Sequence, residues 1–236
     1  MIDILLIHGA WHGGWCWARV AAALRAQGWR VACPDLPGAP GTTLARAVRA
    51  LPPARIVLGH SMGGIPAEAL AARHPPAALI HLCSYLPQPG DSLATLERLL
   101  PAAPRRWPRD ADGRLILPPD AARAMMLHDA APATARHALR RLRPQPQGVM
   151  RDPCPGPAAA VPRHYVLCEA DRAIAPALQR AMVARVPGVT LHPRPWDHAP
   201  FLTQPRALAG MIDTIARDHA APLPPGGGCA ETARQN

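Results

Sequence analysis

The 236-residue sequence contains no lysine; all 26 of its long basic residues are arginine. That absence excludes lysine Schiff-base chemistry, a phosphate loop built around a lysine, and any lyase step that needs a lysine. Aromatic residues make up only 4%, with six tryptophans against two tyrosines and one phenylalanine. No apolar stretch approaches the roughly 20 residues of a membrane-crossing helix, so no membrane association is expected. The N-terminus, Met1-Ile2-Asp3-Ile4, has no basic start, no long apolar run and no small-residue cleavage site. No signal peptide is therefore expected, and the location is read as cytoplasmic. The six cysteines (Cys16, Cys33, Cys83, Cys154, Cys168 and Cys229) form no C-x-x-C pair and no zinc-like pairing with histidine. They read as reduced thiols, and neither a metal nor another cofactor is expected.

Hydrophobic residues at 49% exclude a chain disordered by composition, and the length allows one or two domains. The 31 prolines cluster mainly between Leu86 and Pro162 and near the end, which suggests a compact core, one irregular insertion and a loose tail. The formal charge of +10 raises the question of a nucleic-acid partner. The arginines are scattered, without runs or interleaved aromatics, so no nucleic-acid partner is expected. A group from Arg98 to Arg143 could attract anions, but a solvated basic surface is the preferred reading.

Short apolar runs alternate with helical spacing along the first third. Strands are expected at Ile2–Ile7, Arg30–Cys33, Arg55–Leu58 and Ala78–Leu82, and helices at Trp15–Gln27, Leu44–Ala50 and Gly64–Arg73. That alternation predicts an α/β fold, with a mostly parallel sheet covered on both faces. From 86 to 162 the rhythm stops. Short helices at Leu93–Leu100, Ala121–His128 and Ala133–Leu142, and an extended piece at Arg114–Leu117, predict a helical cap over the sheet. The rhythm resumes with strands at His164–Cys168 and Val189–His192 and helices at Ala175–Val186 and Pro205–Asp218. The core is thus assigned to 1–85 and 163–219, the cap to 86–162, and a disordered tail to 220–236.

Gly59-His60-Ser61-Met62-Gly63 matches G-x-S-x-G between an apolar strand and a helix. This is the context in which a sharp strand-to-helix turn exposes a serine nucleophile. A serine hydroxyl needs a base, and the base needs an orienting acid. His198 lies in a loop between the last strand and the final helix and is assigned as the base; His219, His164 and His192 are the alternatives. Asp171, in a loop at the carboxyl end of a strand, is assigned as the acid, with Glu169 and Asp91 as alternatives. Asp197 adjoins His198 and is read as shaping the loop. The oxyanion is assigned to the backbone N–H groups of Met62 and of Ala10, in the Gly-rich loop His8-Gly9-Ala10-Trp11-His12-Gly13-Gly14. That spacing fits neither G-x-G-x-x-G nor a P-loop, so no nucleotide is expected.

The first loop, continued by Trp15-Cys16-Trp17, the elbow Gly59–Gly64 and Asp197-His198 together resemble the α/β-hydrolase superfamily. Within it, the chain is similar to the branch of plant methylesterases, hydroxynitrile lyases and bacterial esterases. Tyr85-Leu86-Pro87-Gln88-Pro89-Gly90 and Asp171-Arg172-Ala173-Ile174 also look like this branch. The resemblance implies the α/β-hydrolase fold, the helical cap and the triad Ser61, His198 and Asp171. Lyases of the branch carry Thr in the first loop and Lys after the catalytic His, where this chain has Gly9 and Ala199. Dehalogenases and epoxide hydrolases carry Asp at the elbow, where this chain has Ser61.

The expected function is a serine esterase cleaving a small, largely apolar carboxylic ester, as a monomer or homodimer. Trp11, His12, Leu86, Met125, Met126 and Leu127 are expected at the substrate pocket. An acyltransferase or thioesterase with the same triad, a small-ligand receptor and a hydroxynitrile lyase are the other readings.

Overall fold

A computed structural model describes residues 2–101, 105–156 and 161–219. The expected tail at 220–236, with Cys229, lies outside the described residues. The first half alternates as expected: β1 (Ile2–Ile7), a 3-10 turn at Gly14–Trp17, α1 (Ala18–Ala26), β2 (Val31–Ala32), α2 (Leu44–Arg49) and β3 (Ala54–His60). A 3-10 turn at Ser61–Gly63 leads into α3 (Gly64–Ala71), and β4 (Ala78–Leu82) follows. Between β4 and the next strand lie α4 (Leu93–Leu96), α5 (Pro119–Met126), α6 (Pro132–Leu139) and α7 (Gly148–Arg151). The chain then runs through β5 (Arg163–Cys168), α8 (Pro176–Ala184), β6 (Val189–Arg194), α9 (Pro200–Thr203) and α10 (Pro205–Asp218).

The six strands form one parallel sheet in the order β2-β1-β3-β4-β5-β6. Strand residues alternate between two cores with period two. Ile4, Leu6, Ile56, Leu58, Ile80, Leu82 and Val166 pack against Val20, Leu24, Leu208, Ile212 and Ile215 of α1 and α10. Leu5, Ile7, Val57, Leu79, Tyr165 and Leu167 pack on the other face against Val48, Ile65, Leu70 and Met182 of α2, α3 and α8. Both faces are covered, which is why these strands read as continuous apolar runs.

Several element bounds differ from expectation, and proline explains most of them. Five helices begin at a proline (Pro119, Pro132, Pro176, Pro200 and Pro205), where its missing N–H costs nothing. So α5 and α6 start and stop earlier than helical spacing suggested, and α9 was not foreseen. Strand β6 runs past His192 through Pro193 because it is a sheet edge, where a residue without an N–H is tolerated. The Arg114–Leu117 piece reduces to Leu115, which bridges Arg109 on one side and Gln145 on the other.

Strand order also places the site. β1 lies between β2 and β3, so successive connections leave it in opposite directions, and a crevice opens at the carboxyl ends of β1 and β3. Ile7 pairs with Gly59, so the first loop and the G-x-S-x-G turn leave the sheet side by side.

Glycine makes this approach possible. A Cβ on Gly63 would sit 2.7 Å from the carbonyl oxygens of both Ile7 and His8, and one on Gly64 would sit 2.2 Å from that of Tyr85. Gly64→Ala is therefore expected to destabilise the protein by about 2–3 kcal/mol, as overpacking against fixed backbone does. Gly210→Ala, in α10 with nothing near the new methyl group, is expected to be neutral or to stabilise by up to about 1 kcal/mol. Thermal melts of the two variants check this, and equal melting temperatures would contradict the packing described.

Candidate active site

Ser61 has a backbone φ of +53°. For a residue with a Cβ this left-handed conformation costs about 1–3 kcal/mol and persists only where surrounding structure enforces it. Here β3 and α3 hold the turn from either side, and they approach so closely that a Cβ on Gly59 would run into the Gly63 carbonyl. Met62, next along, sits in the opening turn of a helix, where N–H groups have no intrahelical acceptor. Ala10 faces the same cavity, and its N–H has no acceptor among the described residues.

His198 Nδ1 lies 2.8 Å from Asp171 Oδ2, and the pair is buried. Asp171 Oδ1 accepts from the N–H groups of Ala173 and Ile174, at 2.7 and 2.9 Å, and Oδ2 also accepts from Gln179 Nε2 at 3.1 Å. With four donors on it, the carboxylate is fixed in place. The structure thus brings together His198 and Asp171, and puts Ser61, Met62, Ala10 and His198 on one cavity of about 470 Å³.

The alternatives lie elsewhere. Glu169 pairs with Arg180 at the surface, and Asp91 pairs with Arg185 at 2.9 Å. His164 joins His192 at 3.0 Å and His219 at 2.8 Å, in a chain of rings that does not line the cavity. Asp197 accepts from Thr203 Oγ1 at 2.8 Å, holding the 198 loop to α9.

Three buried histidines act as hydrogen-bonding struts. His8 donates through Nδ1 to the Gly9 carbonyl at 2.8 Å, and its Nε2 accepts from the Leu36 N–H at 2.9 Å, which settles its tautomer. In a trans peptide the C=O and N–H point in opposite directions. Holding the Gly9 oxygen therefore aims the Ala10 N–H the other way. His12 donates to the Ala10 carbonyl at 3.0 Å, and His60 Nε2–H donates to the His198 carbonyl at 2.8 Å. Cys83 Sγ donates to the same carbonyl at 3.6 Å. His60, Cys83 and His198 bring possible metal-ligand atoms within 4.8 Å of one another. The donor atoms of His60 and Cys83 are protonated toward that carbonyl, so the group reads as a brace for His198.

Pocket residues divide. Trp11, Met125 and Met126 line the cavity as expected. Leu86 and Leu127 do not, because both are fully buried in the two cores. His12 is also off the wall, packed against Trp15, His60 and Phe201. Sequence reasoning missed Gln179, Gln145 and Trp107, and it took in Arg105 only as one of the Arg98 to Arg143 group read as solvated surface. Gln179 is fully buried on α8, and a Gln on the apolar face of a helix was the available signal. Gln145 accepts from the Trp11 N–H at 3.3 Å, and Trp107 meets the Trp11 ring edge-on at 5.8 Å. No local pattern marks those contacts, since more than 90 residues separate the partners.

A second Ser–His–acid chain sharpens the criterion. His81 lies 2.8 Å from Ser84 Oγ and 3.0 Å from Glu68 Oε1, and Arg163 Nε donates to the same carboxylate oxygen at 2.7 Å. Ser84, His81 and Glu68 are fully buried and do not line the cavity that Ser61 faces, so this chain ties α3 to β4 and β5.

A model of the alpha/beta hydrolase family matches residues 4–211. The chain belongs to this family. Among its relatives is a pyrethroid hydrolase of Sphingobium wenxiniae, 32% identical over 91% of this chain and 87% of the relative. Esterase PIR7B of Oryza sativa subsp. japonica is 29% identical over 91% of this chain and 96% of its own length. The crystal structure of a pyrethroid hydrolase from Sphingobium faniae superposes with a TM-score of 0.76 at 30% identity, covering 92% of this chain and 97% of that one. An Arabidopsis methylesterase shares the fold, at 21% identity and a TM-score of 0.75. The two sequence relatives above, like Methylesterase 18 of Arabidopsis thaliana, are named as a hydrolase or an esterase, in line with the expected carboxylic ester hydrolase.

Burial holds the strut histidines neutral. Desolvation lowers His8 from the usual 6.5 to about 4 and His12 to about 3, and drives His60 well below its usual range. Unfolded imidazole takes up a proton near 6.5 while the folded rings stay neutral. Stability is therefore fully present above that pH and is lost as pH falls toward 4. At about 1.4 kcal/mol per unit, His8 alone accounts for about 3 kcal/mol across that window. Urea unfolding is expected to show a markedly lower midpoint at about pH 5 than at about pH 7, above the range where most carboxylates titrate. Equal midpoints would mean that these rings are not neutral struts.

Proposed function

We propose that this hydrolase cleaves a carboxylic ester through an acyl-enzyme on Ser61. The observation that carries the reading is the buried 2.8 Å pairing of His198 Nδ1 with Asp171, on the cavity into which Ser61 opens from its left-handed turn. Ser61 Oγ attacks the ester carbonyl while His198 Nε2 takes its proton. Asp171 keeps the His198 proton on Nδ1 and stabilises the imidazolium. The Ala10 and Met62 N–H groups receive the negative charge that develops on the carbonyl oxygen. His198 then protonates the leaving alcohol, and water releases the acyl group by the same route.

The segment 86–162 serves as the cap. Leu93, Leu115, Met125, Met126 and Met150 give the cavity an apolar wall, and its volume suits a mid-sized ester. Gly9 weighs against a lyase, because a Cβ there would stand 2.8 Å from the Ser61 Cβ, leaving no room for a threonine.

A fluorophosphonate probe is expected to label the wild type but neither Ser61→Ala nor His198→Ala, alongside turnover of short aryl esters. A folded protein that is not labelled would overturn the reading. Asp171→Asn is expected to lower kcat by about 10⁴-fold with folding intact, since the amide favours the wrong tautomer of His198. A loss of less than about tenfold would remove Asp171 from the triad.

A further inference from the structure

The cavity wall carries more charge than a pocket for a neutral ester needs. Arg105, Arg106, Arg109 and Arg151 all line it, against Glu97 as the one carboxylate. Glu97 Oε1 is engaged by the Tyr85 hydroxyl at 2.8 Å. Elsewhere Arg30, Arg114, Arg143, Arg163, Arg180, Arg185 and Arg217 each meet a carboxylate within 3.1 Å, while many scattered surface arginines meet none among the described residues; what sets the cavity apart is four guanidiniums gathered on one wall. Among the described residues, none of the four rim arginines has a carboxylate within 4.0 Å. Arg105 donates to the carbonyls of Ala173 and Arg172, at 2.7 and 3.4 Å, so it ties the 86–162 segment to the Asp171 loop while keeping its charge uncompensated. Arg106, Arg109 and Arg151 are exposed around the mouth. Met125, Met126 and Ile174 supply apolar wall in the same cavity as Ser61.

We propose that this rim recognises a carboxylate on the substrate, so that the preferred ester pairs an apolar body with an anionic end. The inference rests on the hydrolase reading of the same cavity and adds the substrate class. Guanidinium suits this role, because its planar fork matches a carboxylate and its charge persists across the working pH range. A cleft lined by one sign of charge with apolar walls also focuses its field and draws in ions of the opposite sign. The chemistry is unchanged by the added group. Ser61 Oγ forms the acyl bond as the ester C–O bond breaks and the alcohol leaves with the proton from His198, and water then breaks the acyl-enzyme bond; a carboxylate on the acyl side stays at the rim until the acid is released, and one on the alcohol side leaves with the alcohol.

The test compares kcat/KM for matched pairs, each corrected for spontaneous hydrolysis. With the charge on the acyl side, para-nitrophenyl hydrogen glutarate is set against para-nitrophenyl hexanoate. With the charge on the alcohol side, the acetyl ester of para-hydroxybenzoate is set against phenyl acetate. In at least one pair the anionic ester is expected to be favoured about tenfold at low salt, through KM, with the preference mostly lost near 1 M NaCl, where the screening length falls to about 3 Å. Combining Arg106→Gln, Arg109→Gln and Arg151→Gln is expected to collapse the anionic-to-neutral ratio toward one, with circular dichroism confirming the fold. A ratio at or below one in both pairs, or a preference that survives the triple variant, overturns the proposal. Binding of monomethyl glutarate to Ser61→Ala, measured by calorimetry, separates the two readings. Saturable, salt-sensitive binding that the arginine replacements abolish supports the rim even if no ester is turned over. Ester turnover with no ionic preference and no such binding leaves the hydrolase standing and removes the rim.

Discussion

The parallel pairing of β1 with β3, with Ile7 opposite Gly59, is the constraint on which the site depends. Two chain segments leave the sheet at adjacent strand ends. One carries the Ala10 N–H and the other carries Ser61 and Met62. They lie close because Gly9, Gly59 and Gly63 have no side chains: a Cβ on any of them would meet backbone, the His60 ring or the Ser61 side chain within 2.8 Å. The strained φ of Ser61 follows from the same packing, since the turn must reverse the chain into α3 within three residues.

Around this junction, buried polar groups act through hydrogen bonds and not through charge. His8, His12 and His60 each hold a backbone carbonyl at 2.8–3.0 Å, and desolvation keeps all three neutral. Neutrality matters beside His198, whose ring centre lies 4.7 Å from that of His60. A cation there would oppose an imidazolium on His198. The buried Glu68–His81–Ser84 chain shows that a suggestive trio of side chains is not enough. What separates it from Ser61, His198 and Asp171 is access to a cavity.

The segment between β4 and β5 is docked by polar contacts to the first loop as well as by apolar packing. Trp11 is the hub: its N–H donates to Gln145, its indole to the Leu115 carbonyl at 3.0 Å, and its own carbonyl accepts from the Arg143 N–H at 2.8 Å. Its φ of +61° turns the ring toward that segment. Loop and overlying segment are thus one mechanical unit, and a change at Leu115 or Gln145 is felt one residue from Ala10.

Much of this was legible locally. Alternating apolar runs specify a covered parallel sheet because strand burial imposes its own period, and G-x-S-x-G is readable because a sharp strand-to-helix turn admits few residue types. Chain order, with His198 and Asp171 in loops after later strands, placed those two residues without any distance. The rest was decided by packing between distant segments. Leu86 and Leu127 went into the cores instead of the pocket, because an apolar side chain is buried wherever cover exists and sequence does not say which cover it meets. Gln179 reaches the site from α8, and Trp107 and Arg105 reach it from the segment between β4 and β5, placements that only tertiary packing sets. The arginines of the rim have the same composition as those of the surface. Their distinction, four guanidiniums around one cavity without a carboxylate partner, exists only once tertiary structure has brought residues 105–109 and 151 to the same opening.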